Sequence, residues 1–119
     1  MARILLAEDD SSLRGFLTRA LEKAGHQVVD CENGDDAIDA LNDGPYDLLL
    51  TDIVMPGADG IEVARVAAAR IPGLRIMFIT GFAAVALNAD SKAPKDAKVL
   101  SKPFHLRDLV DEVNKLLAA

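Results

Sequence analysis

Asp47-Leu48-Leu49-Leu50-Thr51-Asp52-Ile53-Val54-Met55-Pro56-Gly57 decides how the rest of the chain is read. Three leucines in succession leave no polar face, so Asp47–Thr51 predicts a strand covered on both sides. The run ends in a carboxylate, Asp52, and then enters a Met-Pro-Gly loop over Val54–Asp59, expected to be mobile. A buried strand that delivers an acid to a loop needs neighbouring strands to bury it. The flanking sequence supplies them.

Upstream, Arg3–Ala7 reads as another buried strand, followed by Glu8-Asp9-Asp10. Asp10 or Ser11 can cap a helix. Its apolar residues Leu13, Phe16, Leu17, Ala20 and Leu21 recur on one helical face, and Gly25 stops it. Gln27–Cys31 is a second strand. Asn33-Gly34 turns into a short helix over Asp35–Leu41, and Gly44-Pro45 breaks the chain. Downstream, Ile61–Arg70 is a third helix ended by Pro72-Gly73, and Arg75–Ile79 is a fourth strand. Between Gly81 and Lys98 the pattern weakens. Ala83–Leu87 suits a short helical stretch, and Pro94 forbids a long one. Lys98–Ser101 is a fifth strand. Leu106, Leu109, Val110, Val113, Leu116 and Leu117 mark the face of a last helix.

Five strands alternating with helices predict an α/β fold. It is a doubly wound five-stranded parallel sheet in the order 2-1-3-4-5, with helices on both faces. In that order a ligand crevice lies beyond the carboxyl ends of strands 1 and 3. Glu8 and Asp9 follow strand 1, Asp52 follows strand 3, Thr80 strand 4 and Lys102 strand 5. Crowded carboxylates repel and raise one another's pKa unless a cation is present. A hard cation such as Mg²⁺ suits such ligands together with waters and a phosphoryl oxygen. Asp52 is central and is the best nucleophile, since a carboxylate can form an aspartyl phosphate. Lys102 can hold a phosphoryl oxygen as a point charge, and the Thr80 hydroxyl can donate to another.

Each of these residues also has an ordinary reading. Asp9 and Asp10 suit a helix start, Thr80 a strand end and Lys102 a solvated surface. Their convergence on one sheet edge is what favours a site. A flavin mononucleotide site on the same sheet would need a loop of Ser, Thr and Gly after strand 1 to cradle phosphate. Glu8-Asp9-Asp10 would repel it. A phosphatase with an Asp nucleophile usually has a second Asp two residues on, where this chain has Val54.

The 119 residues predict one domain, residues 1–119, large enough to fold unaided. The net charge of −6 argues against a nucleic-acid partner. The apolar start is too short, and ends too acidic, for a signal segment. No run is long enough to span a membrane. The single cysteine, Cys31, excludes an intrachain disulfide and suits a reducing cytoplasm.

The acid pair Glu8-Asp9, the run Asp52-Ile53-Val54-Met55-Pro56 with Gly60 beyond it, Thr80-Gly81 and Lys102-Pro103-Phe104 resemble the receiver domain of two-component response regulators, a resemblance that covers the whole chain. It implies the CheY-like variant of the flavodoxin-like fold, with Asp52 as phosphoacceptor. It also implies Mg²⁺ bound by Asp9, Asp52 and the Val54 carbonyl, with Glu8 acting through water. Thr80 and Lys102 would bind phosphoryl oxygens, and the Lys102–Pro103 peptide would be cis. The phosphoryl donor would be a histidine kinase or histidine phosphotransferase. The chain departs from the family in three places. Glu8 stands where Asp is more frequent, Val99 where a mobile ring is usual, and the helix after strand 4 is shortened.

The stretch from Met77 to Asn88, and that from Ala93 to Pro103, are similar to a single-domain group of receivers in alphaproteobacteria. This implies a cell-cycle adaptor that in its unphosphorylated form engages ClpX, the unfoldase of ClpXP, and promotes degradation of proteolytic substrates. The expectation is thus a binding module rather than an enzyme. The other class is a phosphorelay intermediate or phosphate sink that meets only its kinase and phosphotransferase. The rebuilt stretch 82–96 favours the adaptor, because a sink needs no special output face. Phe82, two places after Thr80, either packs in the core or limits access of water and partner side chains to the phosphoryl group. The Leu117-Ala118-Ala119 end is a candidate degradation signal.

Overall fold

A computed structural model of the protein describes residues 2–81 and 92–118. The proposed helix at Ala83–Leu87, the Phe82 ring and Ala119 lie outside the described residues. The strands are β1 (Arg3–Ala7), β2 (Gln27–Cys31), β3 (Leu48–Thr51), β4 (Arg75–Thr80) and β5 (Lys98–Ser101), all parallel and ordered β2-β1-β3-β4-β5. The helices are α1 (Ser11–Lys23), α2 (Gly34–Ala40), α3 (Gly60–Arg70) and α4 (Leu106–Ala118). A 3₁₀ turn at Leu41–Asp43 closes α2.

The strand pleat sorts the leucines of β3 as a two-sided core requires. Leu49 joins Leu5, Ala7, Ile76 and Phe78 beneath α2 and α3, with Ala37, Val63, Ala64 and Ala67. Leu48 and Leu50 join Ile4, Leu6, Met77 and Ile79 beneath α1 and α4, with Leu17, Leu21, Leu109 and Val113. α1, α2 and α3 each start where a side chain takes up free amides. The Asp10 carboxylate accepts from the Ser12 and Leu13 amides, Asn33 from Asp36 and Asp59 from Glu62. The Asn33 cap explains why α2 begins at Gly34, one residue before the sequence pattern suggests.

Two apolar residues depart from their expected faces. Phe16 is 53% exposed and lies under the Arg19 guanidinium, 5.1 Å from its ring centre. Periodicity gave Phe16 a direction, but no element among the described residues covers it. Leu106, the first residue of α4, is likewise exposed, and burial begins at Leu109.

The amino-terminal edge of the sheet is a joint between distant parts. The Ala2 amide donates to His26 Nδ1 at 3.2 Å, and His26 Nε2 lies 3.0 Å from the Asn114 side-chain oxygen on α4. An acceptor at Nδ1 leaves the proton on Nε2, which donates to Asn114. Arg75 Nε donates to the Leu116 carbonyl at 3.1 Å, closing the last turn of α4.

Candidate functional site

Strand register brings the acids together. Ala7 pairs with Thr51, so Glu8 and Asp52 are the first residues beyond two adjacent strand ends. The ladder continues past them, with the Asp52 amide donating to the Ala7 carbonyl at 3.0 Å. Thr80 pairs with Ser101, which makes Lys102 the first residue beyond β5. The Lys102 amide donates to the Thr80 carbonyl at 2.8 Å, and Lys102–Pro103 is cis, as the resemblance implied. Gly44–Pro45 is a second cis peptide that the sequence reading did not foresee.

Side chains converge from that edge. Lys102 Nζ lies 2.7 Å from Asp52 Oδ2 and 3.0 Å from Glu8 Oε1. Asp52 Oδ1 accepts from the Ile53 amide at 2.7 Å, and Glu8 Oε2 from the Asp10 amide at 3.1 Å. Carboxylate oxygens of Glu8, Asp9 and Asp52 lie within 4.8 Å of one another. Asp9 faces solvent, while Glu8 and Asp52 are buried. Thr80 is buried at the end of β4, two strands from Glu8 and next to β3. Val54 is 57% exposed, on the loop that follows Asp52.

Burial pushes the Glu8 carboxyl above the usual carboxylate range, and the Asp52 charge adds to this; the Asp10 amide and Lys102 pull the other way. For Lys102, burial disfavours the ammonium, but hydrogen bonds to Asp52 and Glu8 outweigh it and hold the pKa above its ordinary value. The two partners of one ion pair thus differ in whether the site favours their charge. Depth explains it, since the Glu8 side chain is 1% exposed and that of Lys102 28%. One ammonium serves two buried carboxylates, with a third acid alongside. The donor set is all oxygen and carries excess negative charge, which fits a hard divalent cation.

The family profile for the response regulator receiver domain matches residues 4–114. The chain belongs to that family. This receiver is 66% identical over 119 residues to the response regulator receiver protein CpdR of Brucella abortus, covering all of this chain and 99% of that one. It is 32% identical over 120 residues to the sensor kinase CckA of the same organism, covering 98% of this chain but only 12% of the kinase. Among solved structures, the response regulator TrrA of Thermotoga maritima, in complex with Mg²⁺ and BeF, superposes with a TM-score of 0.84 at 31% identity, over 98% of this chain and 99% of that one. The receiver has the CheY-like fold. No helix among the described residues is long and apolar enough to cross a membrane.

Several residues that shape the site escaped the sequence reading. The loop after Asp52, expected to be mobile, is pinned. The Gly60 amide donates to the Ile53 carbonyl at 2.7 Å, the Ala58 amide to Asp35 Oδ1 at 3.2 Å, and the Gly34 amide to the Pro56 carbonyl at 3.3 Å. A Cβ at Gly60 would overlap the Asp52 carbonyl oxygen, so the start of α3 packs directly on the site's backbone. On the other side, Arg14 Nη1 donates to the Glu8 carbonyl at 2.8 Å. Nothing in the local pattern signals Arg14 or Asp35, because their partners come from other elements. Val99, in the place where the family usually has a ring, pairs with Phe78 and packs half-buried on the α2–α3 side of the core. Cys31 ends β2 half-buried, and burial pushes its thiol up to about 11, with Asp36 and Asp30 adding to the effect.

Proposed function

We propose that this receiver accepts a phosphoryl group on Asp52 from a histidine kinase or histidine phosphotransferase and passes the signal on through protein contacts. The observation that carries the reading is the Lys102 ammonium, 2.7 Å from Asp52 and 3.0 Å from Glu8 within one group of acids. In the transfer, an Asp52 carboxylate oxygen forms the new O–P bond as the N–P bond of a phosphohistidine breaks, and the imidazole leaves with that electron pair. Lys102 follows the charge from the carboxylate to a phosphoryl oxygen, and the Thr80 hydroxyl donates to another. Glu8, Asp9, Asp52 and the Val54 carbonyl would hold Mg²⁺, which supplies positive charge against the transferring group. The family and the all-oxygen donor set support that cation.

The test is incubation with acetyl phosphate and Mg²⁺, read by intact mass. One phosphoryl group should add to the parent and none to Asp52→Ala; labelling of the variant would overturn the assignment. Mg²⁺ should raise the melting temperature of the parent by mass action, and of Asp9→Ala less.

The finer reading is that the unphosphorylated form is a cytoplasmic adaptor for ClpXP, and not an enzyme acting on a separate substrate. Its support is the identity with CpdR along the full chain and the resemblance of residues 77–103. A pull-down with ClpX, with and without phosphorylation, tests it. Retention only of the unphosphorylated protein is expected. Absence of ClpX in both states would leave the sink as the better reading.

A further inference from the structure

The first acid of the site is held by its backbone as well as by its side chain. The Glu8 amide donates to the Cys31 carbonyl at 3.1 Å, and the Glu8 carbonyl accepts from Arg14 Nη1 at 2.8 Å. Arg14 is fixed in turn, because its Nε lies 3.3 Å from Asp30 Oδ2 on β2 and its side chain is only 17% exposed. Its own amide donates to the Asp10 carbonyl at 2.8 Å, in the first turn of α1. The guanidinium therefore spans three elements, the end of β1, the end of β2 and α1. It closes the peptide that joins Glu8 to Asp9. Two of the three clustered carboxylates hang from that peptide.

We propose that Arg14 is a positioning residue for the cation site: it fixes the Glu8–Asp9 peptide so that both carboxylates converge with Asp52. The inference rests on the Mg²⁺ site proposed above. Electrostatics and geometry make opposite claims for Arg14, which allows a decision. A guanidinium beside an acidic group repels a divalent cation, so as a mere charge it weakens Mg²⁺ binding, and its removal should tighten it. As a clamp it pre-organises two ligands, and its removal should weaken binding. Groups that orient metal ligands typically change affinity about 10–100-fold when removed. Arg14 acts through a backbone carbonyl, one step further back, so we expect a loss near the low end, about tenfold.

The experiment is a titration with Mg²⁺ alone, followed by the backbone amide resonances of Asp9, Asp10 and Ile53, on the parent, Arg14→Met and Arg14→Lys. Arg14→Met should raise the Kd despite its more negative surroundings. Arg14→Lys keeps the charge but has a single ammonium to serve both Glu8 and Asp30, so it should raise the Kd less. An unchanged or lower Kd in Arg14→Met overturns the proposal, even if the variant melts earlier, since the residue would then be only structural. If Arg14→Met does not fold, Arg14→Lys decides in the same way: a raised Kd supports the clamp and an unchanged one overturns it. A parent that shows no Mg²⁺-dependent shifts at these amides would instead overturn the cation site itself.

Discussion

The two ends of the sheet both collect charged side chains but use them differently. At the amino-terminal edge Arg3, Asp47 and Arg75 are matched to backbone. Asp47 Oδ2 accepts from the Arg3 amide at 2.8 Å, Arg3 Nη1 donates to the carbonyls of Asp43 and Pro45, and Arg75 caps Leu116. Arg3 also stacks over the Tyr46 ring at 4.6 Å. These contacts close strand and helix ends, and they leave little charge unmatched. At the carboxyl edge Glu8 and Asp52 are buried against each other with one lysine between them. A fold needs the first arrangement and gains nothing from the second. Buried charge without full compensation costs stability, and where it persists it marks chemistry.

The contrast can be broken at either edge. The largest effect expected is on labelling. Asp52→Ala should reduce incorporation from acetyl phosphate to background, while its urea midpoint, without divalent cations, equals or exceeds that of the parent because repulsion with Glu8 is relieved. A marked drop in midpoint would mean that the carboxylate serves the fold after all. Next in size is Gly60→Ala, whose Cβ would overlap the Asp52 carbonyl. A loss of about 3 kcal/mol is expected, the cost of forcing an atom into packed backbone, and chemical denaturation measures it. Asp47→Ala is the mirror of Asp52→Ala. It should cost about 1 kcal/mol through one lost hydrogen bond to an exposed acceptor, and labelling should be unaltered.

The smallest effect depends on pH. Because the folded-state pKa of Glu8 is raised, the folded protein takes up a proton before the unfolded chain does as pH falls. The resulting stabilisation is complete below the unfolded value and is lost as pH rises through the folded one. Glu8→Gln imitates the protonated form. It should be the more stable protein at pH 7.5, with the advantage shrinking towards the ordinary glutamate value of 4.5. Urea melts across that interval would expose a wrong sign as an advantage that grows on acidification.

Much of this arrangement is legible in the sequence. All five strands are placed to within a residue: β1, β3 and β4 show as apolar runs because a buried strand must be apolar, and the half-covered edge strands β2 and β5 show as short Val-Val and Val-Leu pairs between polar ends. Placing Glu8, Asp52 and Lys102 at one edge needed only that the strands they follow run parallel, as helical crossovers between them require. What stayed hidden depends on contacts between elements. Phe16 carries the period of a core residue, yet its exposure depends on what fails to cover α1. Arg14 and Asp35 look like any helix-surface charges, and their roles exist only once β1 and the loop after β3 lie within reach. The pinned loop was missed for the same reason, since Pro56 and Gly57 suggest a turn but do not show that α2 holds it.

The His26 joint has a mechanical side. It fastens Ala2, the residue before β1, to Asn114 near the carboxyl end of α4, on the edge away from Asp52. Tension between Ala2 and Asn114 is therefore carried by a short bridge that bypasses the acids. A pull on the carboxyl end of α4 loads first the turn that Arg75 closes and then the His26–Asn114 contact, before the helix can peel back to Leu106. Beyond it Phe104 packs on the core beneath α1 and α4, and Lys102 follows, so the latch between β5 and the acids is where such a pull first reaches the site.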